Sequence, residues 1–249
     1  LEKTMVSVFR VAVYTVFVFI ATIILQIYTP ATRGYFNLGE VAIYSIAYVT
    51  TPLIAGVAAG IGSALADLVT GYGIFAPGTL VIKFGEGFIV SYLIRYFSRL
   101  RITQLRILSV IVAVLAGALI SFTGIILWTG SVELSSVPIN LFGYQATLLT
   151  LSFDLSAYIW ILIGVAVAAI MIYTIIIRGS ENISAALSMS IGGLEMVMGY
   201  LLYEYFISNP LQGIASQAAF AEVPVNMGQM IFGLTIALSV ISFLRRALK

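Results

Sequence analysis

Six runs of about twenty apolar residues, at roughly 5–28, 77–98, 106–128, 155–177, 185–207 and 219–244, take up most of this chain. Each is long enough to cross a hydrocarbon core of ~30 Å as a helix rising ~1.5 Å per residue, and in lipid an open strand cannot satisfy its own backbone. With 61% hydrophobic and 9% charged residues among 249, no water-soluble surface can be assembled, so the expected class is an all-α, multi-pass membrane protein. Residues 11–28 fill a whole span and no small-residue cleavage site follows them, so they are read as a retained helix rather than a signal peptide.

The stretch 41–69 is too long for one upright crossing and short for two, and Thr50-Thr51-Pro52 near its middle disfavours helix just before the proline. Charge placement separates the two readings. A single crossing would put Lys3 and Arg10 on one side and Arg95, Arg99, Arg101 and Arg106 on the other. Two short crossings gather all of these on one side with Arg178, Arg245, Arg246 and Lys249, leaving Arg33 opposite and Lys83 in the membrane. The positive-inside rule selects the second arrangement: eight helices with both termini cytoplasmic.

The chain has no Cys and no His, which removes thiolate nucleophiles, imidazole bases and ordinary zinc sites together. Gly34 and Gly39 have phosphate-loop spacing, but Glu40 stands where the loop needs lysine. Gly71 and Gly73 with Ala76 imitate a dinucleotide fingerprint without the strand and helix it requires. Acid pairs such as Asp67 and Glu86 have no nucleophile or metal cluster beside them, so the chain is not expected to be an enzyme. No cofactor and no nucleic acid are expected, and any energy for pumping comes from a partner or an ion gradient.

Small residues recur at four-residue spacing in the third helix, with Gly56 and Gly60, Ala55 and Ala59, and Gly62 and Ala66, which predicts close helix packing. Residues 129–154 form a longer outward connection, with a weakly amphipathic piece around 142–151 expected at the interface or over the bundle.

Polar groups at membrane depth are costly, so each is a candidate for function. On the eight-helix topology they collect in one leaflet. Asn37 and Glu40 open the second helix, Asp67 closes the third, and Lys83 and Glu86 lie early in the fourth. Tyr200 and Glu204 come late in the seventh, and Glu222, Asn226 and Gln229 early in the eighth. Helices running in opposite directions deliver them there, as a mostly apolar cavity with a few placed polar groups requires. Tyr35 and Tyr72 are candidates to stack on a flat ring, although interfacial aromatic belts have the same composition.

Lys83 and Glu86, three apart, either neutralise each other or face a ligand. Glu222, just before Val223-Pro224, also reads as a first-turn acid. Glu195, near the middle of the seventh helix, serves either proton coupling or a polar contact within the bundle. Replacing Lys83 or Asn226 by alanine is expected to weaken ligand retention without unfolding the bundle.

Several stretches together, Gly34 to Glu40, Gly60 to Asp67, Gly71-Tyr72, Ala76-Pro77, Ile82-Lys83 and Gly85-Glu86-Gly87, closely resemble the front half of the S components of energy-coupling factor (ECF) vitamin transporters, especially the riboflavin-type branch. Gly199 to Tyr205 and Ala221 to Gln229 resemble that family's last two helices. The resemblance implies a six-helix substrate-capture subunit whose loop after the first helix closes over a vitamin or related micronutrient. Its partners would be a transmembrane T subunit, two cytoplasmic ATPases and the lipid bilayer. It places Tyr35, Asn37 and Glu40 in the gating loop and Lys83, Glu86, Glu204, Asn226 and Gln229 on the pocket helices; Asp67, Tyr72 and Tyr200 complete the expected binding set.

The chain departs from that pattern twice. Residues 100–182 add two spanning helices and the outer loop to a core of 1–99 and 183–249, all within one transmembrane domain. The first helix replaces the family's usual Ala-x-x-x-Ala face with Ala12 and Val16. Two other functions are consistent with the residues: an ion-coupled secondary transporter using Glu195, Glu86 and Asp67, and a structural subunit of a larger membrane complex.

Overall fold

A computed structural model describes residues 2–127, 129–134, 139–141, 144–146, 151–178 and 182–247. Among them the apolar runs are helices: α1 (Glu2–Ile23), α2 (Gly39–Val49), α3 (Pro52–Thr70), α4 (Ala76–Phe97), α5 (Ile102–Leu127), α6 (Ala157–Ile172), α7 (Ile183–Tyr203) and α8 (Glu222–Ala247). Six of the helical segments, all but α2 and α6, are long and apolar enough to cross a membrane. The chain is a multi-pass membrane protein. Lys249 lies outside the described residues.

The division of 41–69 follows from Pro52. It occupies the first turn of α3, where its missing N–H has no partner to lose, and Thr51 before it is extended at φ −76° and ψ 155°. The 11 residues of α2 rise only about 16 Å. At its far end the Thr50 carbonyl accepts hydrogen bonds from the Arg95 guanidinium and from Ser91 Oγ, the latter at 2.8 Å, so a cation sits at the negative end of the helix dipole. Gly71 closes α3 in the left-handed conformation at φ 92°, and its N–H donates to the Asp67 carbonyl.

The first helix stops five residues short of the expected end. Strand β1 (Gln26–Thr29) pairs antiparallel with β2 (Gly34–Asn37), with Tyr28 opposite Tyr35 and Ile27 opposite Phe36. Aromatic and β-branched cross-strand pairs favour this hairpin over another helical turn. The α5–α6 connection is likewise built of strands where it is described, β3 (Gly130–Leu134) with β6 (Leu151–Leu155) and β4 (Ile139–Leu141) with β5 (Tyr144–Ala146). The amphipathic piece expected around 142–151 is strand at 144–146 and at 151; the rest of it lies outside the described residues.

The most extensive seams are α3 against α4, α5 against α6, α4 against α7 and α1 against α3. A side chain on Gly60 would come within 2.6 Å of the Leu80 carbonyl oxygen, and one on Gly87 within 2.8 Å of the Ala55 carbonyl oxygen, so both positions require glycine for the backbones to approach. The small-residue face of α3 is thus packing, as expected from its spacing. Helices α5 and α6 pair mainly with each other, and α5 joins them to the bundle along α7.

Candidate functional site

At the hairpin end of the bundle, α1, α3, α4, α7 and α8 surround a polar-lined cavity. Eight of the eleven residues expected to bind substrate line it: Tyr35, Asn37, Asp67, Lys83, Tyr200, Glu204, Asn226 and Gln229. They come from five separate stretches of sequence: the hairpin, α3, α4, the end of α7 and α8. The other three stand behind this wall. Glu40 and Glu86 hold Lys83, and Tyr72 packs on the Tyr35 ring with centroids 4.3 Å apart, so it backs an aromatic neighbour.

Lys83, two turns into α4, is 2% exposed. Its ammonium donates to Glu86 Oε2 at 2.9 Å and to Glu40 Oε1, and it lies 5.5 Å from the centroid of the Tyr200 ring. Glu86 Oε1 accepts from the Tyr44 hydroxyl at 3.0 Å. Two carboxylates therefore share one buried lysine, and Lys83 and Glu86 do neutralise each other, with Glu40 as an additional partner. Glu195 lies beside this group without lining the cavity; a side chain on Gly85 would come within 3.0 Å of its Oε1.

The hairpin is fastened over the cavity by three contacts, one to α3 and two to α8. The Tyr35 hydroxyl donates to Asp67 Oδ1 at 2.5 Å, the Asn37 backbone N–H donates to Gln229 Oε1 at 2.8 Å, and the Thr32 hydroxyl donates to Glu222. Asn37 Oδ1 also accepts from the Gly39 N–H at 2.7 Å, which ties the strand to the start of α2. Burial, and then the Asp67 carboxylate, push the Tyr35 phenol well above its ordinary range, so it keeps its proton and donates throughout the neutral range. Tyr35→Phe is expected to speed amide exchange across 26–37 by roughly 10- to 100-fold, since a hydrogen bond to a charged group contributes ~1.5–3 kcal/mol. Hydrogen exchange read by mass spectrometry checks this, and unchanged exchange would remove Tyr35 as a fastening.

Glu204 is placed by a change of helical pitch. After Tyr203 the helix widens into a π turn over Glu204–Ser208, which re-aims side chains relative to a continuous α-helix. Glu204 is 2% exposed, and its Oε2 has no hydrogen-bond partner among the described residues; the same holds for Asp67 Oδ2 and Glu222 Oε2. Asp67, Glu204 and Glu222 thus set three buried carboxyl groups on one wall, where hydroxyl or amide donors of a ligand can be met.

Thr22, Gly34, Ser63, Phe75, Thr79 and Glu222 also line the cavity. Ser63 sits four residues before Asp67, and Thr79 four before Lys83, so helical spacing was the available signal for both. The Tyr200 hydroxyl donates to Thr79 Oγ1 at 3.0 Å. Thr22 carried no such signal, because its hydroxyl satisfies the Val18 carbonyl of its own helix.

Comparison with known proteins adds three findings. The family described as ECF-type riboflavin transporter, S component, matches residues 3–176, a span that includes most of the segment set apart in the sequence. An uncharacterised protein of Pyrococcus woesei is 45% identical over 73 residues, which make up 29% of this chain and 49% of that protein, so the chain spans about half the length of that curated relative. No solved structure matches the chain.

Proposed function

This chain belongs to the family of ECF-type riboflavin transporter S components, and from that premise we propose that it captures a flavin-type micronutrient in the cavity beneath the hairpin. S components are transporter subunits, not enzymes. The observation that carries the reading is the convergence of Asn37, Lys83, Glu204 and Asn226, residues from four stretches of the chain, on one hollow. The carboxylate oxygens of Asp67, Glu204 and Glu222 suit the hydroxyls of a ribityl chain, and the amides of Asn226 and Gln229 suit the donor–acceptor edge of a flavin ring.

Orientation follows from the cations. Arg95, Arg99 and Arg101 cluster at the end of α4 away from the hairpin, so the positive-inside rule directs the cavity outward. Partnership with a T subunit and two ATPases supplies the energy source, and the exposed apolar face of α1 around Val13, Val16 and Phe17 is the surface offered to the T subunit. None of the described residues in 100–182 lines the cavity. That supports reading 1–99 and 183–249 as the capture core and α5–α6 as an added pair.

The purified full-length chain in nanodiscs is expected to quench flavin fluorescence on binding one riboflavin. Uptake into liposomes should need the T subunit, the ATPases and ATP. Asn226→Ala is expected to weaken binding by ~10- to 100-fold, equivalent to ~1.4–2.8 kcal/mol, with the melting temperature unchanged. The convergence of Glu40 and Glu86 on Lys83 beside Glu195 favours one other reading, an ion-coupled carrier. Uptake by the chain alone under an ion gradient would establish that reading and displace ours.

A further inference from the structure

We infer that the lipid-facing side of α4 and α7 docks a transmembrane helix of a partner protein that carries a basic side chain at mid-membrane, and that Glu195 anchors it. Glu195 is only partly buried and falls on the stripe of α7 that faces away from the bundle, three and seven residues before the exposed Met198 and Leu202. The adjoining stripe of α4 exposes Val81, Phe88 and Tyr92, bulky side chains interrupted by Gly85. Gly85 is where the two stripes meet, since a side chain there would come within 3.0 Å of Glu195 Oε1. The carboxyl therefore occupies a notch in a face otherwise built of apolar and aromatic side chains, and a glycine at that point lets a third helix approach closely.

Both helices span the membrane, and Gly85 and Glu195 lie near their midpoints, so the notch is at hydrocarbon depth. A carboxyl there is costly against lipid tails and is matched by a donor or a cation. Glu195 Oε2 has no hydrogen-bond partner among the described residues, and the charged groups it feels are Glu86 and Lys83. Lys83 is committed to Glu40 and Glu86, so three acids stand beside one lysine and the charge that complements them is positive. A lipid tail brings no donor. A second copy related by a two-fold axis along the membrane normal brings residues of the same depth together, acid against acid, because this stretch of the face holds no cation among the described residues. Helix α1 packs mainly on α3 and α2, so the notch is separate from the surface offered to the T subunit and independent of what the cavity holds.

The test titrates the full-length chain in proteoliposomes with a leucine–alanine helix of about 20 residues that carries arginine at its centre, and with the same helix carrying leucine there. Energy transfer between fluorophores on chain and helix reads the association. The arginine helix is expected to associate ~10-fold more tightly than the leucine helix with the wild-type chain. Glu195→Gln, which keeps the shape and removes the charge, is expected to erase that preference. Gly85→Leu, which fills the notch and keeps the acid, is expected to weaken binding of the arginine helix by a similar factor. No preference for arginine in the wild type overturns the inference, and so does a preference that survives in a monodisperse Glu195→Gln chain. Self-association of the wild-type chain that competes with the arginine helix and vanishes in Glu195→Gln would assign the face to a second copy and overturn it as well. Should Glu195→Gln fail to fold, Gly85→Leu decides: full binding of the arginine helix there overturns the inference.

Discussion

Lys83→Met is expected to lower the melting temperature of the detergent-purified protein steeply and to abolish ligand binding with it. The side chain is 2% exposed and stands between Glu40, 1% exposed, and Glu86, 0% exposed. Removing the cation leaves two carboxylates facing each other inside the bundle. Breaking a buried pair this way costs about 3–5 kcal/mol, a large fraction of a typical domain's stability. The sequence alone left Lys83 either neutralised by Glu86 or facing a ligand, with its loss expected to spare the fold. Its geometry makes it a structural cation that also borders the cavity, so alanine at this position is expected to destabilise as well. Restoring charge balance with Glu40→Gln and Glu86→Gln in the Lys83→Met background should recover part of the melting temperature. A Lys83→Met chain that melts with the wild type would show that the ion pair does not hold the bundle.

Gly60→Leu is expected to prevent α3 and α4 from closing. The first carbon of the new side chain would come within 2.6 Å of the Leu80 carbonyl oxygen and 3.1 Å of Phe84 Cβ, and a backbone carbonyl cannot swing aside as a side chain can. Overpacking a well-filled site costs ~1–3 kcal/mol, and a clash with backbone lies at or beyond the upper end. Asp67 and Lys83 reach the cavity from these two helices, so separating them also pulls the wall apart. Expression yield and monodispersity in detergent report the effect. Gly228→Ala is the matched control, because nothing lies within 4 Å of a side chain there. Equal behaviour of the two variants would discard the close-packing account.

The helices were legible because lipid leaves the backbone few options for a twenty-residue apolar run, and Pro52 biases Thr51 before it away from helix. The hairpin was not, since Ile24 to Tyr28 continues the apolar run of α1 and only the cross-strand partners at 34–37 draw it into a strand. Eight of the eleven expected site residues line one cavity because polar residues in apolar helices cannot face lipid cheaply. Glu40, Glu86 and Tyr72 fall behind the wall for a reason that sequence spacing does not contain. Each meets a partner distant in sequence, Glu40 and Tyr72 across 43 and 37 residues, and Glu86 meets Tyr44 across 42. Glu222 was visible as a first-turn acid, but its bond to Thr32 needs the hairpin to fold back over α8.

The triad around Lys83 also bears on how the chain is made. A translocon tests each helix as it emerges, and a charged side chain at mid-helix opposes entry into lipid by ~2.5–3.5 kcal/mol. Helix α4 carries two such residues and is the least apolar of the spanning segments. Glu40 is synthesised 43 residues ahead of Lys83. When α4 reaches the lateral gate, Glu86 travels with Lys83 on the same helix and Glu40 is already present on α2, so both partners of the buried cation are available as it enters the membrane.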